Sequence, residues 1–273
     1  RGSGGGGVSD DAAVPAADAE ADPPPVVLKL GGSLITEKDR PETLDGDALD
    51  AACDAVADAL TAGDVDRLVV VHGGGSFGHH HASEHGVSTT DGTRDPDAVA
   101  AVHGAMKRLN AAVLERLRDR GVPAVPVHPL SLAARTDGAD GGLDLPLGST
   151  ATLLGEGFVP VLHGDGVATA GDGVTVVSGD ELVVELAVGL GARRVGVCST
   201  VPGVLDGDGD VIDAIDEFAA VADALGASDA TDVSGGMAAK VRELLALDAP
   251  AHVFGADGLA LFLRGEDAGT RID

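Results

Sequence analysis

Short apolar runs alternate with longer amphipathic ones along most of the chain. Val26–Leu30 (VVLKL), residues 67–72 (RLVVVH), 124–129 (AVPVHP), 158–165 (FVPVLHGD) and 194–198 (RVGVC) are β-branched and almost continuously apolar. Such runs predict strands buried on both faces, as in a parallel sheet. Between them, apolar residues recur at helical spacing. Leu49, Cys53, Val56 and Leu60 share one face of residues 47–60. Val99, Val102, Met106, Leu109 and Val113 do the same over residues 96–120, and Gly121 supplies a stop. Residues 181–190 and 236–247 predict further helices. AHVFGA and LALFL predict late strands, and residues 175–180 and 204–212 predict hairpins. Strands alternating with helices predict an α/β fold, a mainly parallel sheet covered on both faces.

Residues 1–25 break the pattern. RGSGGGG reads as a flexible leader or an expression scar, residues 8–21 are rich in Ala and Asp without an apolar face, and Pro23–Pro25 closes the segment. No basic stretch precedes an apolar one, so a secretory signal is not expected. The expectation is a disordered acidic tail over 1–25 and one domain over 26–273. No run approaches the length of a membrane span.

Composition changes the picture at two points. Two cysteines, Cys53 and Cys198, cannot make a disulfide framework, which favours a reducing, cytoplasmic setting. The formal charge is −27, so neither a phosphate backbone nor an anionic lipid surface is an expected partner. Acidic excess with scarce lysine resembles proteins that work in concentrated salt, where screening tolerates self-repulsion.

The four lysines are Lys29, Lys38, Lys107 and Lys240. Three flank glycine pairs at strand or helix ends. Lys29 precedes Gly31-Gly32, Lys38 follows it, and Lys240 follows Gly235-Gly236. Lys107, mid-helix beside Arg108, reads as a solvated position. A second glycine turn, HGGGSFGH, ends the second strand. In parallel sheets, ligands bind beyond the carboxyl ends of the strands. Glycines there let backbone N–H groups approach an anion, and ammonium groups suit phosphate oxygens. Neither a P-loop nor a dinucleotide fingerprint is present, so phosphoryl chemistry here needs another scaffold.

KLGGSLIT, HGGGSFGHH, VPVLHGD, VVSGD and DVSGGMAAK, in that order, resemble the amino acid kinase superfamily and most closely its isopentenyl phosphate kinases. The resemblance covers residues 26–273. It implies an α/β/α sandwich around a mainly parallel sheet of about eight strands, the N-terminal part binding the acceptor and the C-terminal part the nucleotide. It implies ATP- and Mg²⁺-dependent phosphorylation of isopentenyl phosphate within an archaeal mevalonate pathway, by a cytoplasmic homodimer.

The resemblance also implies roles. Lys29 and Lys240 meet the transferring phosphoryl and the ATP oxygens, Lys38 stabilises the transition state, and Asp180 orients the lysines. His79 holds the acceptor phosphate, with the N–H groups of Gly74 and Gly179. Gly31, Gly32, Ser33, Gly75, Thr200, Gly203 and Gly235 face the nucleotide. Met106, with Val102, walls a slot for the five-carbon chain, although Met at this spacing is as often core. Asp165 reads as a turn cap. His-rich tracts bind metals, but the placement of His79 after GSFG favours phosphate, and no metal ligand is assigned. One departure stands out: STVPGV at 199–204 replaces the family's acidic TD-x-DG run. The alternatives are a sister kinase for another small phosphate or phosphonate such as fosfomycin, and a non-catalytic ATP-responsive regulator.

Overall fold

The structure is a computed structural model that describes residues 22–222, 225 and 236–273. Gly235 and residues 1–21 of the expected tail lie outside the described residues. The elements in chain order are β1 (Val26–Leu30), α1 (Gly32–Ile35), α2 (Gly46–Ala62), β2 (Leu68–His72), α3 (Gly75–Glu84), α4 (Pro96–Asp119) and β3 (Ala124–Pro126). There follow β4 (Ala134–Arg135), α5 (Gly148–Gly155), β5 (Val159–His163), β6 (Asp165–Thr169), β7 (Gly173–Val177), α6 (Gly179–Leu190) and β8 (Arg194–Ser199). The last are β9 (Ala214–Ile215), α7 (Gly236–Leu244), β10 (Ala251–Gly255), α8 (Leu259–Leu263) and β11 (Thr270–Ile272).

The described residues form an eight-stranded sheet in the order β3-β5-β2-β1-β8-β10-β11-β9, with a smaller sheet β4-β6-β7 beside it. The β10–β11 pair is antiparallel; the other pairs of the large sheet are parallel. This is the α/β sandwich expected from the alternation of runs. Successive side chains of a strand face opposite ways. Val26, Leu28 and Leu30 of β1, with Leu68 and Val70 of β2, therefore join the core beneath α2, α4 and α8. Val27, Val69 and Val71 face the other way, onto Leu182, Val183 and Leu186 of α6 and Val241 of α7.

Helix ends follow local rules. Asp45 accepts from the N–H of Ala48 at the start of α2, and left-handed Gly63 ends it. Asp95 caps α4 ahead of Pro96. Ser178 caps α6 and Gly191 closes it.

Five sequence expectations shift. LALFL is a helix, not a strand. A five-residue apolar run fits either, and here Leu259, Phe262 and Leu263 lie on one buried helical face. Phe262 occupies the space that a side chain at Gly196 would need. The third strand stops at Pro126, because Pro129 opens a 3₁₀ turn. The hairpin over 175–180 pairs β7 with β6, but Ser178 to Asp180 leave it to begin α6. The hairpin over 204–212 is reduced to one antiparallel bridge, Leu205 to Val211. Residues 22–25, grouped with the tail by composition, lie against the domain: Asp22 pairs with Arg67 at 2.9 Å, and Pro25 accepts from the N–H of Arg193.

Candidate active site

Pairing in register brings four strand ends to one level. Leu30 stands opposite His72 and Cys198, and His72 opposite His163. The turns that follow must share the space beyond this edge. The N–H of Gly31 donates to Cys198 O at 2.8 Å, and that of Gly73 to Leu30 O at 3.0 Å. The turns after β1 and β2 touch backbone to backbone. A Cβ on Gly73 would lie 2.6 Å from the nitrogen of Gly32, and one on Gly32 would overlap Gly75. Gly75 also has φ +47°, a left-handed value suited to glycine. Thr36 ties the same turns through its hydroxyl, which donates to Gly32 O at 2.8 Å and accepts from Ser76 N at 2.9 Å. Sequence reading assigned the glycines to phosphate approach; the structure adds a requirement of their own packing. It missed Thr36, for which the ITEK stretch gives no local signal.

Strand alternation puts Lys29 on the α6 face at the end of β1. There the first turn of α6 presents Asp180, and Lys29 Nζ lies 2.7 Å from Asp180 Oδ2. Lys240 of α7 reaches the same carboxylate at 3.7 Å. Gly179 makes room, since a Cβ there would lie 3.2 Å from Lys29 Cε. Burial pushes the Asp180 carboxyl up, but the two ammonium groups pull it further down, and it lies below the usual range. Burial lowers Lys29, with Asp180 opposing. Glu243, one turn beyond Lys240, is raised by burial and by the charges of Asp180 and Glu181. Three predicted residues thus meet: Lys29, Asp180 and Lys240.

The others are dispersed around this edge. His79 is exposed in the second turn of α3, and Lys38 is exposed in the turn between α1 and α2. Gly74 N-caps α3. Ser33 is exposed within α1, and Thr200 is exposed just past β8. Gly203 is buried, with Thr270 and Val211 where a side chain would go. Met106 is fully buried and rests its sulfur against the turn: Cβ atoms on Gly74 and Gly78 would lie 3.5 and 2.8 Å from Sδ. Lys107 is exposed, as read.

A second polar group at this edge was missed. His72 and His163, side by side on the α4 face, stack with ring centroids 5.4 Å apart. His128 Nδ1 lies 2.8 Å from His163 Nε2, and His103 of α4 packs edge-on to His128. His103 Nδ1 donates to Asp165 at 2.9 Å. Asp165 also accepts from the N–H groups of Leu130 and Gly166, so it joins three segments rather than capping one turn. The tautomers follow from the carbonyls. His72 Nδ1 faces Gly73 O at 3.1 Å and His163 Nδ1 faces Gly164 O at 2.9 Å, so each Nδ1 carries the proton. His163 Nε2 then accepts from His128. His72 Nε2 must also accept; Asn110 Nδ2 has no partner, and turning that amide over supplies the donor. Burial lowers His72 to about 4, and lowers His163 and His128 as well. The sequence signal was the repeat of His-Gly at the ends of two neighbouring strands.

Comparison with known proteins agrees with this architecture. The model of the amino acid kinase family matches residues 24–248. An isopentenyl phosphate kinase of Haloferax volcanii is 66% identical over 90% of this chain and 98% of its own length. That of Methanothermobacter thermautotrophicus is 33% identical over 81% of this chain and 86% of its own. A solved structure titled "X-ray structures of isopentenyl phosphate kinase" superposes with a TM-score of 0.74 at 28% identity, over 90% of this chain and 99% of that one. By these matches the chain belongs to the amino acid kinase family and, within it, to the isopentenyl phosphate kinases.

Proposed function

We propose that the chain transfers the γ-phosphoryl group of ATP to isopentenyl phosphate, giving isopentenyl diphosphate and ADP. An oxygen of the acceptor phosphate bonds to the γ-phosphorus as the bond to the β,γ-bridging oxygen breaks. The observation that carries the reading is the gathering of Lys29 and Lys240 on Asp180 at the C-terminal edge of the sheet. Phosphoryl transfer asks chiefly for positioning and for neutralisation of oxygen charge. Asp180 holds both ammonium groups in place while leaving the cluster net positive.

The remaining roles extend from that cluster. Lys29 and Lys240 contact the phosphoryl in transfer, and Lys38 closes on it from its exposed turn. His79 and the N–H groups of Gly74 and Gly179 hold the acceptor phosphate. The starts of α3 and α6 leave N–H groups without helical acceptors, which favours anions there. Gly31, Gly32, Ser33, Gly75, Thr200 and Gly203 line the nucleotide side, and Gly235, outside the described residues, is assigned to the nucleotide by its motif alone. Met106 and Val102 wall the alkyl slot. Mg²⁺, when bound with ATP, neutralises the phosphate oxygens; Asp180 is already committed to two lysines, which suits an ion carried mainly by phosphate and water. We place the enzyme in the cytoplasm as a homodimer, a state that light scattering of the purified chain checks.

The test is ADP release from Mg-ATP in concentrated KCl, with isopentenyl phosphate, fosfomycin, acetylglutamate or no acceptor. Turnover with isopentenyl phosphate is expected. Turnover confined to fosfomycin favours the sister kinase, and ATP binding without turnover favours the regulator.

A further inference from the structure

The C-terminal end of α3 carries a constellation that phosphoryl transfer does not use. His81 and Glu84 lie in α3 and His85 is its C-cap, at positions i, i+3 and i+4, the spacing that shares one face of a helix. One potential ligand atom from each lies within 4.8 Å of the others. His81 Nδ1 is 3.6 Å from Glu84 Oε2. That nitrogen is closed off from solvent and has no hydrogen-bond partner. The other ring nitrogen is committed: His81 Nε2 donates to Glu42 Oε1 at 2.6 Å. Nε2 is thereby committed as a donor, and Nδ1 is the ring nitrogen left facing Glu84 and His85. Glu42 is itself held by Arg108, whose guanidinium donates to both carboxylate oxygens at 2.9 and 2.7 Å. A carboxylate behind an imidazole whose second nitrogen is free is the arrangement that orients a metal-binding histidine and raises its basicity.

We propose that His81 Nδ1, the Glu84 carboxylate and the His85 imidazole bind a divalent transition-metal ion of the zinc class, with Glu42 as the positioning residue behind His81. Two imidazoles and one carboxylate suit zinc, cobalt or nickel, whereas magnesium and calcium favour all-oxygen sets. Glu84 and His85 are exposed, so water completes the coordination. No metal ligand was assigned from the sequence, where three consecutive histidines look alike. Helix geometry and Glu42 single out His81 from its neighbours. The site is separate from any magnesium carried with the nucleotide, and the proposal stands whether or not the acceptor is isopentenyl phosphate.

The test uses the full chain without an affinity tag, stripped by chelator and titrated with Co²⁺. The expected result is saturation at one equivalent, with the visible absorption of four- or five-coordinate cobalt, reversed by Zn²⁺ and not by excess Mg²⁺. His85→Ala and Glu84→Gln abolish the bands; both positions are exposed, and an unchanged melting temperature of the metal-free variants shows that they fold. Glu42→Gln keeps the ligands and weakens binding about 10–100-fold. Zn²⁺ raises the melting temperature of the parent and not of His85→Ala. His80→Ala leaves affinity unchanged. No cobalt bands, or equal weakening by His80→Ala and His85→Ala, overturns the site.

Discussion

Two polar clusters lie at the same edge of one sheet, and they are kept buried in opposite ways. On the α6 face, Lys29, Asp180 and Lys240 are held by opposite charge. On the α4 face, His72 and His163 are stacked and kept neutral by burial, His128 bonds to His163, and His103 bonds to Asp165. A buried ion survives only beside a counter-ion. A buried imidazole has a second route: it sheds its proton and becomes both donor and acceptor. The first cluster therefore offers charge to a ligand. In the second, the buried rings of His72 and His163 offer none and lie as a polar floor beneath the strand ends.

The sharpest way to break this comparison is to remove a charge from the first cluster. Lys29→Met is expected to lower kcat/KM by about 10²–10³, the range for losing one preorganised electrostatic contact. ADP-release kinetics read the loss, and circular dichroism shows the folded state retained. A variant with near-parental rates would deny the cluster its part in transfer. The second cluster predicts the reverse balance. Asp165→Asn takes a carboxylate from His103 and two backbone N–H groups, with an expected cost of roughly 1–3 kcal/mol in chemical denaturation. Its kcat/KM should fall less than that of Lys29→Met.

Acid separates the clusters further. His72 titrates near 4 in the fold and near its ordinary value of 6.5 when unfolded. The unfolded chain thus binds more protons between these values, and stability rises with pH across that window. Moving from pH 7 to 5 should cost about 2 kcal/mol from this ring alone, read as a lower urea midpoint. A profile flat from 7 to 5 would mean that the rings are not buried neutral. The smallest effect concerns salt. KCl should raise the melting temperature by screening the surface excess of carboxylates, yet reach neither cluster. The increment should therefore match in the parent and in Asp165→Asn.

The first cluster was legible in the sequence because lysine is scarce there. Three lysines beside glycine pairs stood out, and Asp180 followed from the SGD motif. The sheet was equally legible, since near-continuous β-branched runs between amphipathic ones leave few architectures open. What escaped depended on contacts between distant segments. His103, His128 and His163 are separated by many residues and carry no shared pattern, so only pairing β2 with β5 and laying α4 across them reveals a group. LALFL escaped for a local reason, because five apolar residues have no period to read. Asp165 was visible as a residue and not as a junction, because its partners arrive from three segments.

The abutting glycine turns after β1 and β2 carry a lesson for reading variation. A glycine at position 32 is demanded by the neighbouring chain before any phosphate arrives. Substitution tolerance at such a site reports on architecture, and an inactive relative that had lost every lysine would still be obliged to keep it. Glycine retention in these two turns is therefore a poor witness to catalysis; the lysines, which no backbone contact of the turns demands, are the better one.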